Sequence, residues 1–204
     1  MRLKSIIWKP KYLGKMNDLY PIFLKVDQLD VLLIGGGKVA TEKLHFLLKS
    51  SPDAQVEIVA EQFDEEVLKL ASKYALKTTQ SRFNQTHLNG RSIVIAAAND
   101  RVVNEEIYER CRSRKIIVNV ADNPDLCDFY LGGIVTKGDL KIAISTNGKS
   151  PTLAKRMRQY FESEIPDDID ELLESLQAFR KTLKGDFNEK VSALNELTKT
   201  LVEN

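Results

Sequence analysis

The stretch Asp30-Val31-Leu32-Leu33-Ile34-Gly35-Gly36-Gly37-Lys38-Val39-Ala40 decides how the rest of the chain reads. A run of strand length comes first and is almost wholly apolar, as expected of a strand buried on both faces of a parallel sheet. Three glycines follow. Beyond them Ala40, Leu44, Leu47 and Leu48 recur at helical spacing. A buried strand that turns through glycine into an amphipathic helix opens an alternating α/β arrangement.

Outward from that stretch the alternation continues. Ser51-Pro52-Asp53 ends the helix and Val56 to Ala60 reads as a second strand. A helix with Val67, Leu68, Leu70 and Ala71 follows, then a weaker strand at Leu76 to Thr79 and a strong one at Ser92 to Ala97. The helix from Val102 to Arg114 shows Val103, Ile107 and Cys111 on one face, and Ile116 to Val120 is the next strand. Short connections between alternating strands and helices predict a parallel sheet with right-handed crossovers.

Past residue 125 the pattern changes. Tyr130 to Val135 and Leu140 to Ser145 read as a hairpin joined by Thr136-Lys137-Gly138-Asp139. Ser150-Pro151 opens a helix, with Ser as N-cap and Pro at the first position, whose apolar face is Leu153, Met157, Tyr160, Phe161 and Ile165. A helix beginning at Pro166-Asp167-Asp168 turns Ile169, Leu172, Leu173, Leu176 and Phe179 inward and stops at Gly185. A last helix runs through Val191, Leu194 and Leu201. The expected fold class is α/β: a Rossmann-type parallel sheet in residues 1–125, a small hairpin-plus-helix module in 126–165 and a helical tail in 166–204. The middle zone is too small to hold a core alone, so it must pack on the first zone or on a second copy of itself. The second option makes a homodimer.

The chain has 204 residues, 43% of them apolar and 29% charged, the proportions of a globular protein rather than a disordered one. Thirty Lys and Arg oppose twenty-nine Asp and Glu. A formal charge of +1 offers no general attraction to nucleic acid or to an anionic membrane. No apolar run reaches membrane-spanning length, and the basic N-terminus carries only Ile6-Ile7-Trp8, which is no signal-peptide core. Cys111 and Cys127 form no paired motif, so a reducing, cytoplasmic setting is expected. Two histidines, His45 and His87, are too few for a His-rich metal site within one chain, and no resident metal is expected.

Gly35-x-Gly37-x-x-Ala40 fits the G-x-G-x-x-G/A fingerprint in the context that gives it meaning. The first glycine permits the tight turn, the second admits a pyrophosphate, and the small third residue lets helix and strand pack closely. The phosphate charge would lie at the helix N-terminus, by the amides of Lys38 and Val39. Glu61, at the end of the second strand, stands where an acid would hydrogen-bond a ribose 2′-hydroxyl and repel a 2′-phosphate, favouring NAD over NADP. A solvated loop acid is the plain alternative, and Gln62 could share the role. Ala96-Ala97-Ala98-Asn99 ends the fourth strand with small side chains, leaving room for a ligand around Ala98 and Asn99.

Asp122 follows the fifth strand at the edge where catalytic groups gather in open α/β sheets, and is the best carboxylate for proton transfer. An Asx-turn ahead of Pro124 is the plain alternative, and on the residues alone it is the stronger one. The loop Ser145-Thr146-Asn147-Gly148-Lys149-Ser150 leads straight into a helix and has an anion-binding composition. From Lys141 to Tyr160 there are five cations, Arg156 among them, and no acids. Helix capping explains Ser150 and Pro151 but not the absence of acids. The next stretch is acidic, so the balanced total conceals local segregation.

Taken in order, Gly35 to Ala40 with Lys43, Asn119-Val120-x-Asp122, Cys127-x-Phe129 and Ala143-Ile144-Ser145-Thr146-x-Gly148-x-Ser150-Pro151 resemble the precorrin-2 dehydrogenase module of sirohaem synthesis. Leu19-Tyr20-Pro21-Ile22-Phe23-Leu24 also fits, and the match spans roughly residues 19 to 165. The resemblance implies NAD-dependent oxidation of precorrin-2, a polycarboxylate tetrapyrrole, to sirohydrochlorin, and a homodimer built through the middle module. Some such enzymes also insert metal, so a ferrous or cobaltous ion becomes a second substrate. By the same resemblance Asp122 matches an essential aspartate, Ser145 a serine lining the tetrapyrrole cleft, and Lys38, Val39, Glu61 and Gln62 NAD-contact positions. Asn147, Gly148, Lys149, Ser150 and Arg156 would join Ser145 around the substrate's carboxylates, although a smaller residue than Lys149 is expected there. With no fused methyltransferase domain in the sequence, the stand-alone form is expected. An NAD-sensing regulatory module would need the glycine loop but neither Asp122 nor the second loop. A general oxidoreductase of the same fold is a third reading.

Overall fold

The computed structural model describes residues 17–199, so the expectations for Ile6 to Trp8 and for Leu201 lie outside the described residues. Its centre is a five-stranded parallel sheet of β1 (Val31–Ile34), β2 (Val56–Ala60), β3 (Lys77–Gln80), β4 (Ile93–Ala96) and β5 (Ile117–Val120), in the order β3-β2-β1-β4-β5. Val31 pairs with Val56 on one side and Ile93 on the other. All four β1 residues are buried, which is why their sequence shows no alternation.

Helices α1 (Lys38–Ser50), α2 (Glu65–Lys73) and α3 (Arg101–Arg114) cover the two faces. Val31, Leu33, Ile58 and Ile95 pack under α1 and α2 against Ala40, Leu44, Leu48, Val67 and Ala71. Leu32, Ile34, Val59 and Val94 pack on the other face with Ile107 and Cys111 of α3. Leu68, expected inward, is exposed: the short α2 turns only Val67 and Ala71 fully into the core. Asp100 caps α3 by accepting the Val102 N–H at 2.8 Å.

Edge strand β3 is mostly exposed and is held by charge. Glu57 of β2 is buried and accepts from the Thr79 hydroxyl at 2.8 Å, with Lys77 at 3.1 Å and Arg91 also in contact. Burial pushes this carboxyl up, but the Thr79, Arg91 and Lys77 hydrogen bonds and the Arg91 charge outweigh it and hold it at about 2.

The hairpin forms as expected, but its turn is shorter than the expected Thr136 to Asp139. β6 is Gly133–Lys137 and β7 is Leu140–Ile144, with Lys137 opposite Leu140. The turn is therefore only Gly138-Asp139, and Gly138 supplies the positive φ that so tight a turn requires. α4 (Pro151–Glu164) is capped as expected, with Ser150 accepting from the Leu153 N–H at 3.1 Å. It packs on the hairpin, yet none of its residues is buried, and Leu153 and Tyr160 are about half exposed. The module meets the first zone through Lys141, which donates to the Ser50 carbonyl, and through Lys49 and Glu162 at 3.4 Å.

The tail forms α5 (Ile169–Thr182) and α6 (Phe187–Thr198). Neither buries a residue, so the inward face expected of Ile169 to Phe179 is left without full cover. α5 is fastened to the hairpin turn: Asp170 accepts from the Asp139 N–H at 2.8 Å and Lys137 pairs with Asp167. Among the described residues, no helix is long and apolar enough to cross a membrane.

Candidate functional site

The glycine loop is shaped by two kinds of constraint. Gly35 has φ +132°, and a Cβ there would overlap the Ala97 carbonyl oxygen. A Cβ on Gly36 would overlap the Gln62 carbonyl oxygen and crowd Ala60. Packing of β1 against β4 and against the β2 exit therefore accounts for both. Gly37 is different. Its backbone is extended, and a Cβ would meet nothing nearer than the Asn99 amide at 3.8 Å. Among the described residues no contact demands glycine at this position.

This glycine lies at the N-terminus of α1. Gly37 as N-cap offers no side-chain hydrogen bond, and no acid stands in the first turn. The first-turn amides of Lys38 and Val39 are thus available to an anion. Ala40, fully buried, lets α1 sit close to the sheet. These residues fit the pyrophosphate of a dinucleotide.

Glu61 leaves the end of β2 and is exposed, with Arg82 Nε 3.1 Å from its Oε2. Gln80 donates to the Glu61 carbonyl at 3.1 Å. Gln62 meets the glycine loop through its backbone carbonyl.

Across the sheet's switch point lies a cleft of about 460 Å³ lined by Val39, Ala98, Asn99, Ala121, Asp122 and Asn123, among others. Val39 and Asp122, which are 83 positions apart in sequence, thus share one cavity. Asp122 is exposed in a left-handed turn with φ +60°. Asp tolerates this conformation better than most residues, and strained backbone gathers at functional sites.

The Asp122 turn is braced from below. The Cys127 thiol lies 3.2 Å from both the Val120 and the Asn123 carbonyls, and its sulfur accepts from the Val120 N–H at 3.3 Å. Burial pushes this thiol up and the Asp128 charge adds to the effect, against the Val120 hydrogen bond and Lys43, so it serves as a neutral strut. Asn119 donates to the Phe129 carbonyl at 2.8 Å. Asn104 of α3 clamps the other wall, donating to the Ala98 carbonyl at 2.9 Å and accepting the Ala98 N–H at 3.1 Å. Asn104, Arg82 and the bracing part of Cys127 were not identified from sequence. An Asn beside Val103 on the inward side of α3 is the one local signal for Asn104.

The second loop stands apart from this cleft. Asn147 and Gly148 have positive φ, and Ser145 Oγ accepts the Asn147 N–H at 3.1 Å. The Thr146 hydroxyl bridges the Ser150 N–H and carbonyl, both at 3.2 Å. Arg156 bonds Gln159 at 3.0 Å, and Arg158 pairs with Glu162 at 2.6 Å. Lys149, Lys155 and Arg156 make no ion pair among the described residues. The loop from Ser145 to Ser150 and Arg156 do not line the cavity that holds Asp122. Within one chain, therefore, the two groups of candidate residues are not brought together.

Two family models match the chain. One, described as "Putative NAD(P)-binding", covers residues 22–133. The other, "Sirohaem biosynthesis protein central", covers 137–164. Curated relatives include "Siroheme synthase 1" of Klebsiella pneumoniae subsp. pneumoniae, 36% identical over 167 residues, with 82% of this chain and 35% of that protein aligned. "Siroheme synthase" of Nitrosomonas europaea is 36% identical over 171 residues, covering 83% of this chain and 36% of that protein. The chain spans about a third of the length of these relatives. Among solved structures, "SirC, precorrin-2 dehydrogenase" superposes with a TM-score of 0.69 at 24% identity, over 88% of this chain and 89% of that one. The likeness establishes a shared fold, including the parallel sheet, hairpin and C-terminal helices.

Proposed function

The chain belongs to the "Putative NAD(P)-binding" family, and from that premise we propose that it is an NAD-dependent dehydrogenase that oxidises precorrin-2 to sirohydrochlorin in sirohaem synthesis. The observation that carries this reading is that Val39, beside the open glycine, and Asp122 face one cleft. The siroheme synthases aligned over most of the chain and the match of residues 137–164 to a sirohaem-biosynthesis model support it.

In this reading the amides of Lys38 and Val39 hold the pyrophosphate, and Glu61 holds the ribose hydroxyls. When bound, NAD supplies the hydride acceptor. Ala98 and Asn99, locked by Asn104, form the wall that orients the reacting carbon. A carboxylate oxygen of Asp122 takes the proton that leaves the macrocycle as its hydride departs. The open mouth at Asp122 suits a substrate too large to be enclosed.

The second loop, from Ser145 to Ser150 with Arg156, meets the substrate's carboxylates. Since it lies off the cleft within one chain, we place the working enzyme as a homodimer joined through the hairpin and α4, whose Leu153 and Tyr160 are exposed. Metal insertion is a second proposed step: Asp122 at an open cleft suits passing a ferrous or cobaltous ion into the macrocycle. Cys111 and Cys127 are free thiols, consistent with a cytoplasmic setting.

The test is NADH formation from precorrin-2 and NAD under anaerobic conditions. An NAD-sensing module would bind NAD and leave precorrin-2 unchanged. Adding ferrous or cobaltous ion to sirohydrochlorin, with and without protein, tests insertion, and light scattering after size exclusion tests the dimer.

A further inference from the structure

Coenzyme choice in this fold is read at the end of β2, and here that position is occupied by two opposite charges. The Gln62 carbonyl packs on Gly36, which sets the β2 exit beside the pyrophosphate cradle. The Ser81 N–H donates to the Ala60 carbonyl at 3.0 Å and carries the β2–β3 pairing one step past the strands. This extension delivers Arg82 to Glu61, with Nε 3.1 Å from Oε2. Phe83, the next residue, packs against the core and anchors the Arg82 backbone.

Both side chains are well exposed, 85% for Arg82 and 61% for Glu61. An exposed pair of this kind is weak and screened by salt. Arginine recognises phosphate through paired, charge-assisted hydrogen bonds. In dinucleotide folds an Arg near the second strand's end accommodates a 2′-phosphate.

We propose that Arg82 is a specificity-determining residue. The Glu61 carboxylate repels a 2′-phosphate and competes with it for the Arg82 guanidinium, so the site takes NAD. Released from Glu61, Arg82 turns the same site toward NADP. This rests on the dinucleotide reading above and deepens it.

A double-mutant cycle tests it, with NAD and NADP titrated by calorimetry into the wild type, Glu61→Gln, Arg82→Ala and the double variant. Glu61→Gln weakens NAD and strengthens NADP, partly because repulsion is gone. The double variant isolates Arg82. Removing Arg82 from the E61Q background lowers NADP affinity about tenfold or more, the value of charged hydrogen bonds to phosphate. In the wild-type background the same change costs NADP less, because Glu61 already occupies the guanidinium. Equal NADP affinity in E61Q and the double variant would overturn the proposal while leaving the NAD site intact. Absence of binding by either coenzyme to folded wild type would overturn the dinucleotide reading itself, and this inference with it. Thermal melts of each variant confirm folding.

Discussion

Substituting alanine at Gly35 and at Gly37 should give opposite results, because the two glycines answer to different neighbours. At Gly35 a methyl overlaps the Ala97 carbonyl oxygen, and the backbone sits at φ +132°. Backbone strain of this kind costs about 1–3 kcal/mol and overpacking about 1–3 kcal/mol more. The sum, about 2–6 kcal/mol, is a large share of the roughly 5–15 kcal/mol that keeps a domain folded. At Gly37 the methyl makes only an ordinary contact with the Asn99 amide at 3.8 Å, on extended backbone, so stability should fall by no more than about 1 kcal/mol, the scale of an N-cap change. With a pyrophosphate held at the Lys38 and Val39 amides, however, a methyl on the preceding residue would crowd the ligand. Each charged hydrogen bond displaced is worth about 1.5–3 kcal/mol, so NAD affinity should fall at least about tenfold. Urea denaturation with the free protein and NAD titration by calorimetry separate the effects. Gly35→Ala should unfold early, whereas Gly37→Ala should melt normally and bind NAD poorly. Full NAD affinity in a folded Gly37→Ala protein would refute the placement of the pyrophosphate.

Asp122→Asn should retain NAD affinity and the fold while losing turnover by a hundredfold or more, on the order of a general-base contribution; wild-type rates measured with precorrin-2 would remove Asp122 from proton transfer. Glu57 is held at about 2 against a usual 4.5, so its contribution is present above about pH 4.5 and is lost as pH falls toward 2. The shift corresponds to about 3 kcal/mol. Glu57→Gln should therefore destabilise at neutral pH and flatten the acid limb in urea midpoints measured from pH 7 down to 2.5, and an unchanged acid limb would contradict the assignment. Cys111 is fully buried with its thiol pushed up to about 11 by burial, so iodoacetamide at neutral pH should modify it only after unfolding, as peptide mass spectrometry would show. Modification of folded protein at the denatured rate would show that α3 does not seal it.

The parts that could be read from sequence are those governed by neighbours in the chain. β1 announced itself by four residues buried on both faces. Ser150 and Pro151 marked the start of α4 because capping is a local hydrogen bond to Leu153. The hairpin turn is tighter than the sequence suggests: Gly138 takes a positive φ, and the turn lies against Asp170 of α5, 32 positions away. The Asp186 and Glu189 capping box that opens α6 is likewise a local pattern, spaced as such boxes require. The Glu61–Arg82 pair and the Asn104 clamp arise only when strands and α3 are assembled. The loop around Ser145 has a readable composition, but that it does not line the cavity holding Asp122 is a tertiary fact that composition does not encode.

The most direct measurement is an anaerobic incubation of the purified protein with precorrin-2 and NAD, following NADH and the sirohydrochlorin spectrum together. Both should rise in equal amounts, Gly37→Ala should slow both at limiting NAD, and Asp122→Asn should lower both by a hundredfold or more. Folded wild-type protein that binds NAD but yields neither product would contradict the dehydrogenase reading.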